Sequence, residues 1–362
     1  MKVALVYDRV NKWGGAERVL LALHELFPNA PLYTSVYDEK KAAWASVFPK
    51  VTPSFLQRIP GANSNHELLA PLMPIAFESL DFSGFDLVIT VTSEAAKGII
   101  TKPGTLHVCY CLTPTRYLWS HYDDYFKGSI FKVMTKPIIS YLRSWDKIAA
   151  QRPDVIVAIS TEVQKRIKKY YDRESEIIYP PVDVERFKIE DSRFKNRNYF
   201  LIVGRLVPYK KVDLAIEAFN ELGLPLVIVG EGSEEGKLRT MAKSYVKFLG
   251  FVNEEDLPGI YKDAKAFIYP QDEDFGITAV EAQASGVPVI AYRAGGALDT
   301  VINKKTGIFF DNQSKESLTK AVITFEEDFS ERIKPEDCIN NTNRFSKDRF
   351  KKEFLNMVEK YY

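Results

Sequence analysis

The fold is decided by the stretch Asp272-Glu273-Asp274-Phe275-Gly276-Ile277-Thr278-Ala279-Val280-Glu281. A short apolar run over 266–270 precedes it and predicts a buried strand, and residues 277–285 predict a helix that ends at Gly286. In an α/β sheet, ligands bind at the carboxyl ends of strands, where a helix start offers free N–H groups to a phosphate. The stretch therefore predicts an anion site at a strand–helix junction.

Two carboxylates of this stretch are candidates for ligand contacts. Glu273 lies in the loop and Glu281 follows eight residues later, slightly over two helical turns. At that spacing both can face one cleft and reach different parts of one ligand. Taken alone, the pair also fits a solvated acidic loop before a surface helix.

Two cations favour the ligand interpretation. Arg205 and Lys210 lie in the segment Gly204-Arg205-Leu206-Val207-Pro208-Tyr209-Lys210, which follows another predicted strand over 199–203. Basic side chains at a strand end suit a diphosphate. Anions on one loop and cations on a parallel neighbour predict a nucleotide-sugar site.

These motifs resemble the family 4 retaining glycosyltransferases, which have the GT-B fold. The resemblance in the second half is carried by Gly204-Arg205-x4-Lys210, Val229-Gly230-x-Gly232, Phe248-Leu249-Gly250-Phe251, Glu273-x7-Glu281 and Gly286-x-Pro288-Val289. The first half resembles the mannosyltransferase branch of surface-polysaccharide, O-antigen type (lipopolysaccharide), assembly. That likeness is carried by Gly14-Gly15-Ala16-Glu17 and Thr113-Pro114-x-Arg116-Tyr117-x-Trp119.

The domain organisation follows from pattern and resemblance together. Strands and helices alternate through the second half, which predicts a doubly wound parallel sheet, and the pair Pro180-Pro181 suggests a connection between domains. The resemblance implies an α/β protein of two Rossmann-like doubly wound domains facing a central cleft. We expect an acceptor-binding domain over 1–179, a nucleotide-sugar-binding domain over 180–344, and a helix over 345–362 that crosses back to the first domain.

The resemblance also implies roles for individual residues. Arg205 and Lys210 would hold the diphosphate, Glu273 with the following backbone amides the donor sugar, and Glu281 the ribose; the catalytic set is Glu273, Arg205 and Lys210. The donor-binding set is Gly14, Gly15, Arg205, Lys210, Gly230, Phe251, Val252, Glu273, Phe275, Gly276, Ile277, Thr278 and Glu281. For the glycines, ordinary tight turns are an equally compatible interpretation.

One position departs from the family pattern. Related enzymes carry a histidine just before the Thr-Pro pair, where it binds a hydroxyl of the donor sugar, whereas this chain has Leu112. Either the contact is dispensable, or His107 or His121 replaces it, or the donor is a 6-deoxy sugar, or activity is lost. The residues expected on the acceptor or sugar side are Leu112, Thr113, Arg116, His107 and His121.

The run Asp272-Glu273-Asp274 invites comparison with the metal-binding Asp-x-Asp of other transferases. A divalent ion is needed to offset a diphosphate where fixed cations are missing, and Arg205 and Lys210 supply them. We therefore expect no metal and no cofactor, with the nucleotide-diphosphate sugar as substrate.

Composition restricts the compartment and the partners. The chain has 362 residues and a net charge of +1, so nothing attracts it to nucleic acid. No apolar run approaches about 18 residues and no signal peptide precedes the first strand. Three cysteines, interpreted as buried thiols, fit a reducing compartment. We expect a cytoplasmic protein.

A basic segment runs from Lys127 to Lys169, where ten Lys or Arg stand against three Asp or Glu. Its first part interleaves aromatic and aliphatic residues with lysines, which suits an anionic membrane surface. A core-facing helix pair with a solvated basic face is the alternative. The first interpretation predicts a peripheral protein at the inner face of the plasma membrane.

The function implied is retaining transfer of a hexose, mannose or a related and conceivably 6-deoxy sugar, from a nucleotide-diphosphate sugar to a glycan or polyprenyl-linked glycan. A GDP-sugar is the first choice of donor. The alternatives are a GT-B nucleotide-sugar epimerase or phosphorylase, and a non-catalytic nucleotide-sugar binder. The dinucleotide fingerprint G-x-G-x-x-G is absent from the first strand–helix turn, which argues against a dehydrogenase.

Overall fold

A computed structural model describes residues 1–62, 66–120, 122, 129–188 and 197–362. The chain forms two compact units. Unit 1 consists of Met1–Pro180 with Phe350–Tyr362, and unit 2 consists of Pro181–Arg349. The division falls within the Pro180-Pro181 pair.

Unit 1 is built on a parallel sheet of seven strands in the order β3-β2-β1-β4-β5-β6-β7. The strands are Val3–Tyr7 (β1), Leu32–Thr34 (β2), Val51–Pro53 (β3), Leu87–Thr92 (β4), Leu106–Cys111 (β5), Val155–Ala158 (β6) and Glu176–Ile177 (β7). Every residue of β1 and β4 is buried. These runs are apolar on both faces because helices cover both sides of a parallel sheet.

Unit 1 contains four α-helices among the described residues of 1–180. They are Gly15–Leu26 (α1), Met73–Glu78 (α2), Ser129–Ala149 (α3) and Thr161–Tyr171 (α4). Short 3₁₀ turns cover Ala43–Val47, Phe55–Arg58, His66–Leu72 and Ala96–Gly98. The Oγ of Ser160 accepts the Val163 N–H at 3.1 Å, so Ser160 caps α4.

The proline-containing region between β2 and β4 holds a short strand. β3 pairs with β2 through Thr34 and Pro53. β3 is the edge of the sheet, where a proline costs no ladder hydrogen bond on its open side.

Unit 2 is built on a parallel sheet of six strands in the order β10-β9-β8-β11-β12-β13. The strands are Tyr199–Val203 (β8), Leu226–Val229 (β9), Val246–Gly250 (β10), Ala264–Tyr269 (β11), Val289–Tyr292 (β12) and Gly307–Phe310 (β13). This is the strand order of the dinucleotide-binding doubly wound fold, whose direction reverses between its first and fourth strands. The alternation of strands and helices that the sequence predicts for this half is confirmed, whereas β13 was not predicted.

The helices of unit 2 precede, connect and follow these strands. They are Val184–Phe187 (α5), Val212–Leu222 (α6), Glu235–Met241 (α7), Leu257–Lys262 (α8), Ile277–Ala284 (α9), Ala297–Thr300 (α10), Lys315–Thr324 (α11) and Pro335–Thr342 (α12). Phe200 of β8 meets Phe219 of α6 with ring centroids 5.0 Å apart. Leu318 and Val322 of α11 complete the same core cluster.

The final helix, Lys347–Tyr361 (α13), packs on unit 1. Phe350 meets Tyr110 of β5 edge-on at 5.8 Å, and Tyr110 also contacts Phe354. At the end of the helix, Lys360 Nζ and the Tyr361 hydroxyl both donate to Glu176 of β7, at 2.5 and 2.7 Å. Aromatic packing and these polar contacts together hold α13 against the sheet.

Cys109, Cys111 and Cys338 are free and buried, as the sequence indicated. Burial raises the pKa of Cys109 to about 11, so its thiol stays protonated at neutral pH. These side chains contribute packing rather than reactivity.

Candidate functional site

The strand order of unit 2 reverses between β8 and β11, and ligands of open α/β sheets bind outside the carboxyl ends of such a strand pair. The loops after these two strands carry the predicted cations and anion. Lys210 Nζ forms an ion pair with Glu273 Oε1 across the loops. Arg205 is exposed, and its guanidinium donates to the Tyr209 hydroxyl at 2.8 Å. The structure thus brings Arg205, Lys210 and Glu273 to one edge of the sheet.

Glu273 is held from a second side by Tyr269, the last residue of β11. The Tyr269 hydroxyl donates to Glu273 Oε2 at 2.7 Å. Burial, followed by the charge of Glu273, raises the pKa of Tyr269 well above its ordinary value. Tyr269 therefore remains a hydrogen-bond donor, and the Glu273 carboxylate is fixed by one cation and one neutral hydroxyl.

Gly276, the N-cap residue directly before α9, has a left-handed conformation with φ of +97°. A Cβ at this position would lie 2.6 Å from the Tyr269 hydroxyl oxygen, so no larger residue fits. The first N–H groups of a helix have no intrahelical acceptor and carry the positive end of its dipole. The Thr278 hydroxyl in this first turn is buried without a hydrogen-bond partner among the described residues. The start of α9 thus offers donors beside Glu273.

The pair Gly295-Gly296 was missed by the sequence analysis. The Gly296 N–H donates to the Glu273 carbonyl at 2.7 Å. A Cβ on Gly295 would lie 2.2 Å from that carbonyl oxygen, and a Cβ on Gly296 would lie 2.2 Å from Phe275 Cα. Both glycines let the chain after β12 pack directly on the Glu273 loop. A Gly-Gly pair just after a predicted strand was the available signal.

The glycines after β9 serve another close backbone approach. A Cβ on Gly230 would lie 2.0 Å from the Gly204 carbonyl oxygen, and one on Gly232 would lie 2.2 Å from that of Leu206. The Leu206 N–H donates to the Glu231 carbonyl at 2.9 Å. These glycines therefore set the position of the segment that carries Arg205.

The remaining donor-binding candidates of unit 2 differ in accessibility. Phe251 is 71% exposed after β10, with half-buried Val252 beside it. Glu281 is only 2% exposed and accepts the Tyr261 hydroxyl at 3.1 Å. The Phe275 ring is buried 5.5 Å from the Phe345 ring, so this side chain serves packing and leaves the backbone to face a ligand.

In unit 1, Gly14 makes room for a buried carboxyl group. A Cβ on Gly14 would lie 3.1 Å from Glu17 Oε2, while Glu17 Oε1 accepts the Tyr7 hydroxyl at 2.8 Å. Burial raises the pKa of Glu17. Gly15 is exposed and begins α1. The structure therefore gives Gly14 a local packing role, and its contact with a donor stays a prediction.

The residues expected on the sugar side follow β5. Leu112 is half-buried and donates its N–H to the Thr92 carbonyl at 2.8 Å. The Thr113 hydroxyl is buried and has no hydrogen-bond partner in the described part of the chain. Arg116 is half-buried. His121 lies outside the described residues.

His107 cannot replace the family histidine. It lies at the opposite end of β5 from Leu112, about 16 Å away at the rise of a strand. Its ring is fully buried, with Nε2 3.2 Å from Thr90 Oγ1. Burial lowers the pKa of His107 to about 3, so the ring is neutral at pH 7. That part of the sugar-side prediction was wrong.

A buried polar network fixes the segment after Thr113. Asp146 of α3 forms an ion pair with Lys97 at 2.5 Å and accepts hydrogen bonds from Thr115, Trp119 and Tyr171 at 3.1, 2.7 and 2.8 Å. Burial by itself lowers the pKa of Lys97, but Asp146 outweighs it and the pKa is raised. The motif Thr113 to Trp119 is thus anchored from the interior.

No group of three His, Cys, Asp or Glu side chains suited to a metal ion occurs among the residues that the structure describes. Asp272-Glu273-Asp274 does not form one, because Glu273 is engaged by Lys210 and Tyr269.

The family model of glycosyl transferases group 1 matches residues 183–345. These residues form a group 1 glycosyltransferase domain. The group 1 domain coincides with unit 2 and contains both loops of the Lys210–Glu273 pair. A Mycobacterium tuberculosis relative, GDP-mannose-dependent alpha-(1-6)-phosphatidylinositol monomannoside mannosyltransferase, is 31% identical over an alignment of 198 residues that covers 47% of this chain and 51% of the relative. The chain spans about half the length of the curated relatives it matches.

Solved structures extend the likeness to the whole chain. HepE of Anabaena in complex with UDP superposes with a TM-score of 0.75 at 19% identity, over 99% of this chain and 100% of that one. WaaG, a glycosyltransferase of lipopolysaccharide biosynthesis, gives a TM-score of 0.69 at 16% identity, over 98% and 99%. The fold is GT-B, which confirms the expectation from the motifs.

Proposed function

We propose that this protein is a retaining glycosyltransferase that moves a hexose from a nucleotide-diphosphate sugar to a hydroxyl of a glycan or lipid-linked glycan. The observation that carries the proposal is the Lys210–Glu273 pair, braced by Tyr269, at the point where the strand order of unit 2 reverses. Relatives named as GDP-mannose-dependent mannosyltransferases make GDP-mannose the first donor to try.

The diphosphate is the group that this edge of unit 2 suits best. Arg205 is exposed and charged, Lys210 lies on the same segment, and α9 begins beside them. Cations and helix N–H groups stabilise a leaving phosphate most as its negative charge grows. When the diphosphate binds, Lys210 has two anionic neighbours, the Glu273 carboxylate and a phosphate group. We infer that Lys210 then bridges Glu273 and the phosphate.

The other donor contacts extend along the same edge. Phe251 has an exposed ring that can stack on the base of the nucleotide. Every base has a π-face, so this contact does not depend on which base it is. Glu281 would accept the ribose hydroxyls with Tyr261 holding its carboxylate in place. Glu273 and the first amides of α9 would bind the hexose.

The reaction balances without an external reagent. The bond between the anomeric carbon and the diphosphate oxygen breaks, and its electron pair leaves with the nucleotide diphosphate. The acceptor oxygen forms the new bond to the anomeric carbon, and its proton passes to the departing phosphate oxygen. Attack on the face of departure retains configuration. Arg205 and Lys210 supply the compensating charge, so we propose that no metal takes part.

Contact with a membrane is a separate part of the proposal. Among the residues that the structure describes, no helix is long and apolar enough to cross a bilayer. The described part of α3 exposes Ile138, Tyr141 and Ile148 beside exposed Lys136 and Lys147. Apolar and basic side chains on one helix suit an anionic bilayer surface, where a polyprenyl-linked acceptor would reside. The side chains over 129–134 lie outside the described residues. Co-sedimentation with anionic but not neutral vesicles would support this contact.

The test is turnover by purified protein with GDP-mannose, GDP-fucose as a 6-deoxy donor, UDP-glucose and dTDP-rhamnose, with and without mannose-containing acceptors. We expect nucleotide diphosphate release from one donor, faster with acceptor, and a glycoside product of retained configuration. Glu273→Ala should abolish nucleotide diphosphate release both with and without acceptor. Donor epimerisation or a requirement for inorganic phosphate would instead indicate an epimerase or phosphorylase. Binding of a donor without any nucleotide release would indicate a non-catalytic binder.

A further inference from the structure

The loop after β9 lies between the two parts of unit 2 where the diphosphate and the base are proposed to bind. On one side, the Glu231 carbonyl accepts the N–H of Leu206, the residue after the arginine proposed to bind the diphosphate, at 2.9 Å. On the other side, the Gly230 N–H donates to the Gly250 carbonyl at 2.7 Å, directly before Phe251. A side chain on this loop is therefore placed to contact a nucleotide that spans the two parts.

The Glu231 side chain is hydrogen-bonded to the backbone of Phe251. Its Oε1 accepts the Phe251 N–H at 3.3 Å. Only Cα and Cβ separate that nitrogen from the first atom of the exposed ring. A base is wider than a phenyl ring, so the edge of a base stacked on Phe251 lies within reach of the Glu231 carboxylate.

The Glu231 carboxylate keeps acceptor capacity for a ligand. It is exposed, and its Oε2 has no hydrogen bond or ion pair in the part of unit 2 that the structure describes. The cations of the following helix, α7, are engaged elsewhere, since Lys237 pairs with Glu234 and Arg239 pairs with Glu235. Each carboxylate oxygen has two lone pairs, so Glu231 can accept two further hydrogen bonds, one on each oxygen.

A carboxylate beside the edge of a base discriminates among the bases. Guanine alone among the common bases presents two adjacent donors on one edge, N1–H and the 2-amino group. Uracil and thymine present one N–H between two carbonyl oxygens, and adenine and cytosine have a ring acceptor next to the amino group. A carboxylate accepts from both donors of guanine at once, whereas an acceptor on the base repels it.

We propose that Glu231 selects guanine, by accepting hydrogen bonds from N1–H and the 2-amino group of a base stacked on Phe251. This role rests on the proposed function, since it places the nucleotide at the same site, and it adds a residue that determines which base is bound. Phe251 contributes stacking that any base can make, and Glu231 contributes the discrimination. The backbone contacts of the Glu231 loop hold the carboxylate in place before the nucleotide binds.

The test compares GDP with inosine diphosphate (IDP), whose base is guanine without the 2-amino group. In isothermal titration, the parent should bind GDP about tenfold tighter than IDP, the lower end of what a hydrogen bond to a charged group contributes. The stacking, ribose and diphosphate contacts are common to both ligands, so the difference reports the 2-amino group. Equal affinities for GDP and IDP, or tighter binding of UDP than of GDP, would overturn the role of Glu231.

Glu231→Gln assigns the preference to this residue. Glutamine keeps an oxygen for the Phe251 N–H, and its amide can pair with N1–H and O6, which guanine and hypoxanthine share. The variant should therefore bind GDP and IDP within about twofold of each other. Glu331→Gln, at another exposed glutamate of unit 2, should keep the preference of the parent for GDP. Equal weakening of GDP, IDP and UDP in Glu231→Gln would indicate contact with the ribose or the phosphates and would overturn selection of the base.

Binding and turnover separate this role from the proposed function. A parent that prefers GDP to IDP but releases no nucleotide diphosphate from any nucleotide sugar would contradict the transfer reaction and leave the role of Glu231 supported. A parent that transfers a sugar but binds GDP and IDP equally would support the reaction and overturn the role of Glu231. A parent that binds no nucleotide diphosphate would overturn both.

Discussion

The Tyr269 hydroxyl offers the most selective way to disturb the proposed site. Replacing Tyr269 by phenylalanine removes one oxygen and keeps the buried ring, so the β11 core is preserved. Glu273 then loses the 2.7 Å hydrogen bond that fixes Oε2 and keeps its ion pair with Lys210. A hydrogen bond to a charged group contributes about 1.5–3 kcal/mol. If that energy supports the transition state, kcat falls roughly 10- to 150-fold, at 1.36 kcal/mol per tenfold change.

Tyr261→Phe is the matched control, because the Tyr261 hydroxyl makes the equivalent contact with Glu281 at 3.1 Å. Nucleotide release and donor affinity would be measured for both variants, with thermal unfolding to confirm that each is folded. We expect Tyr269→Phe to lower kcat with donor Kd nearly unchanged, and Tyr261→Phe to weaken donor binding with kcat nearly unchanged. A folded Tyr269→Phe protein with kcat within twofold of the parent would refute the reasoning. Equal losses of kcat in both variants would show that the two carboxylates do not have separate roles.

Three further outcomes follow from the same contacts. In excess EDTA, turnover should persist at its full rate since Arg205 and Lys210 supply the positive charge. A loss of turnover that added Mg²⁺ reverses would contradict this. Gly276→Ala should destabilise the protein by about 2–4 kcal/mol, because alanine is strained in the left-handed conformation and its Cβ clashes with Tyr269. Gly259→Ala should not destabilise it, because a Cβ at Gly259 meets open space. The denaturant midpoints of unfolding of the two variants test this. Because the pKa of His107 is about 3 when folded and about 6.5 when unfolded, its contribution is complete above pH 6.5 and is lost as pH falls toward 3. Between pH 7 and pH 4.5, the free energy of unfolding should fall by roughly 3 kcal/mol less in His107→Gln than in the parent, as denaturant unfolding would measure. An equal fall in both proteins would be inconsistent with the buried neutral ring.

The sequence located the candidate site because its signals are local. Apolar runs marked β8 and β11, and charged residues directly after them marked Lys210 and Glu273. Parallel strands bring their carboxyl ends to one edge, so the meeting of these two residues followed from the pattern. The structure makes them an ion pair.

What the sequence left out depends on contacts between distant segments. Tyr269 lies in an apolar strand, so in the sequence it resembles a core residue. Its contact becomes visible only in the structure, where the loop after β11 brings Glu273 to its hydroxyl. The sequence does not distinguish Asp8 from the other acidic residues. Its role becomes visible in the structure, where four backbone N–H groups of the segment after β4 donate to its carboxylate. The strand β13 begins at Gly307, and glycine is depleted in strands, so its sequence did not mark it as one.

The central claim is that the carboxyl edge of unit 2 holds a nucleotide diphosphate through its basic segment. Isothermal titration of the nucleotide-sugar panel tests it most directly, with Arg205→Ala compared against the parent and against Arg332→Ala, another exposed arginine of the same unit. The account predicts one nucleotide sugar bound per chain, weakened roughly 10- to 150-fold in Arg205→Ala and unaffected in Arg332→Ala. Binding of equal strength in all three proteins, or no binding of any nucleotide sugar to the parent, would contradict it.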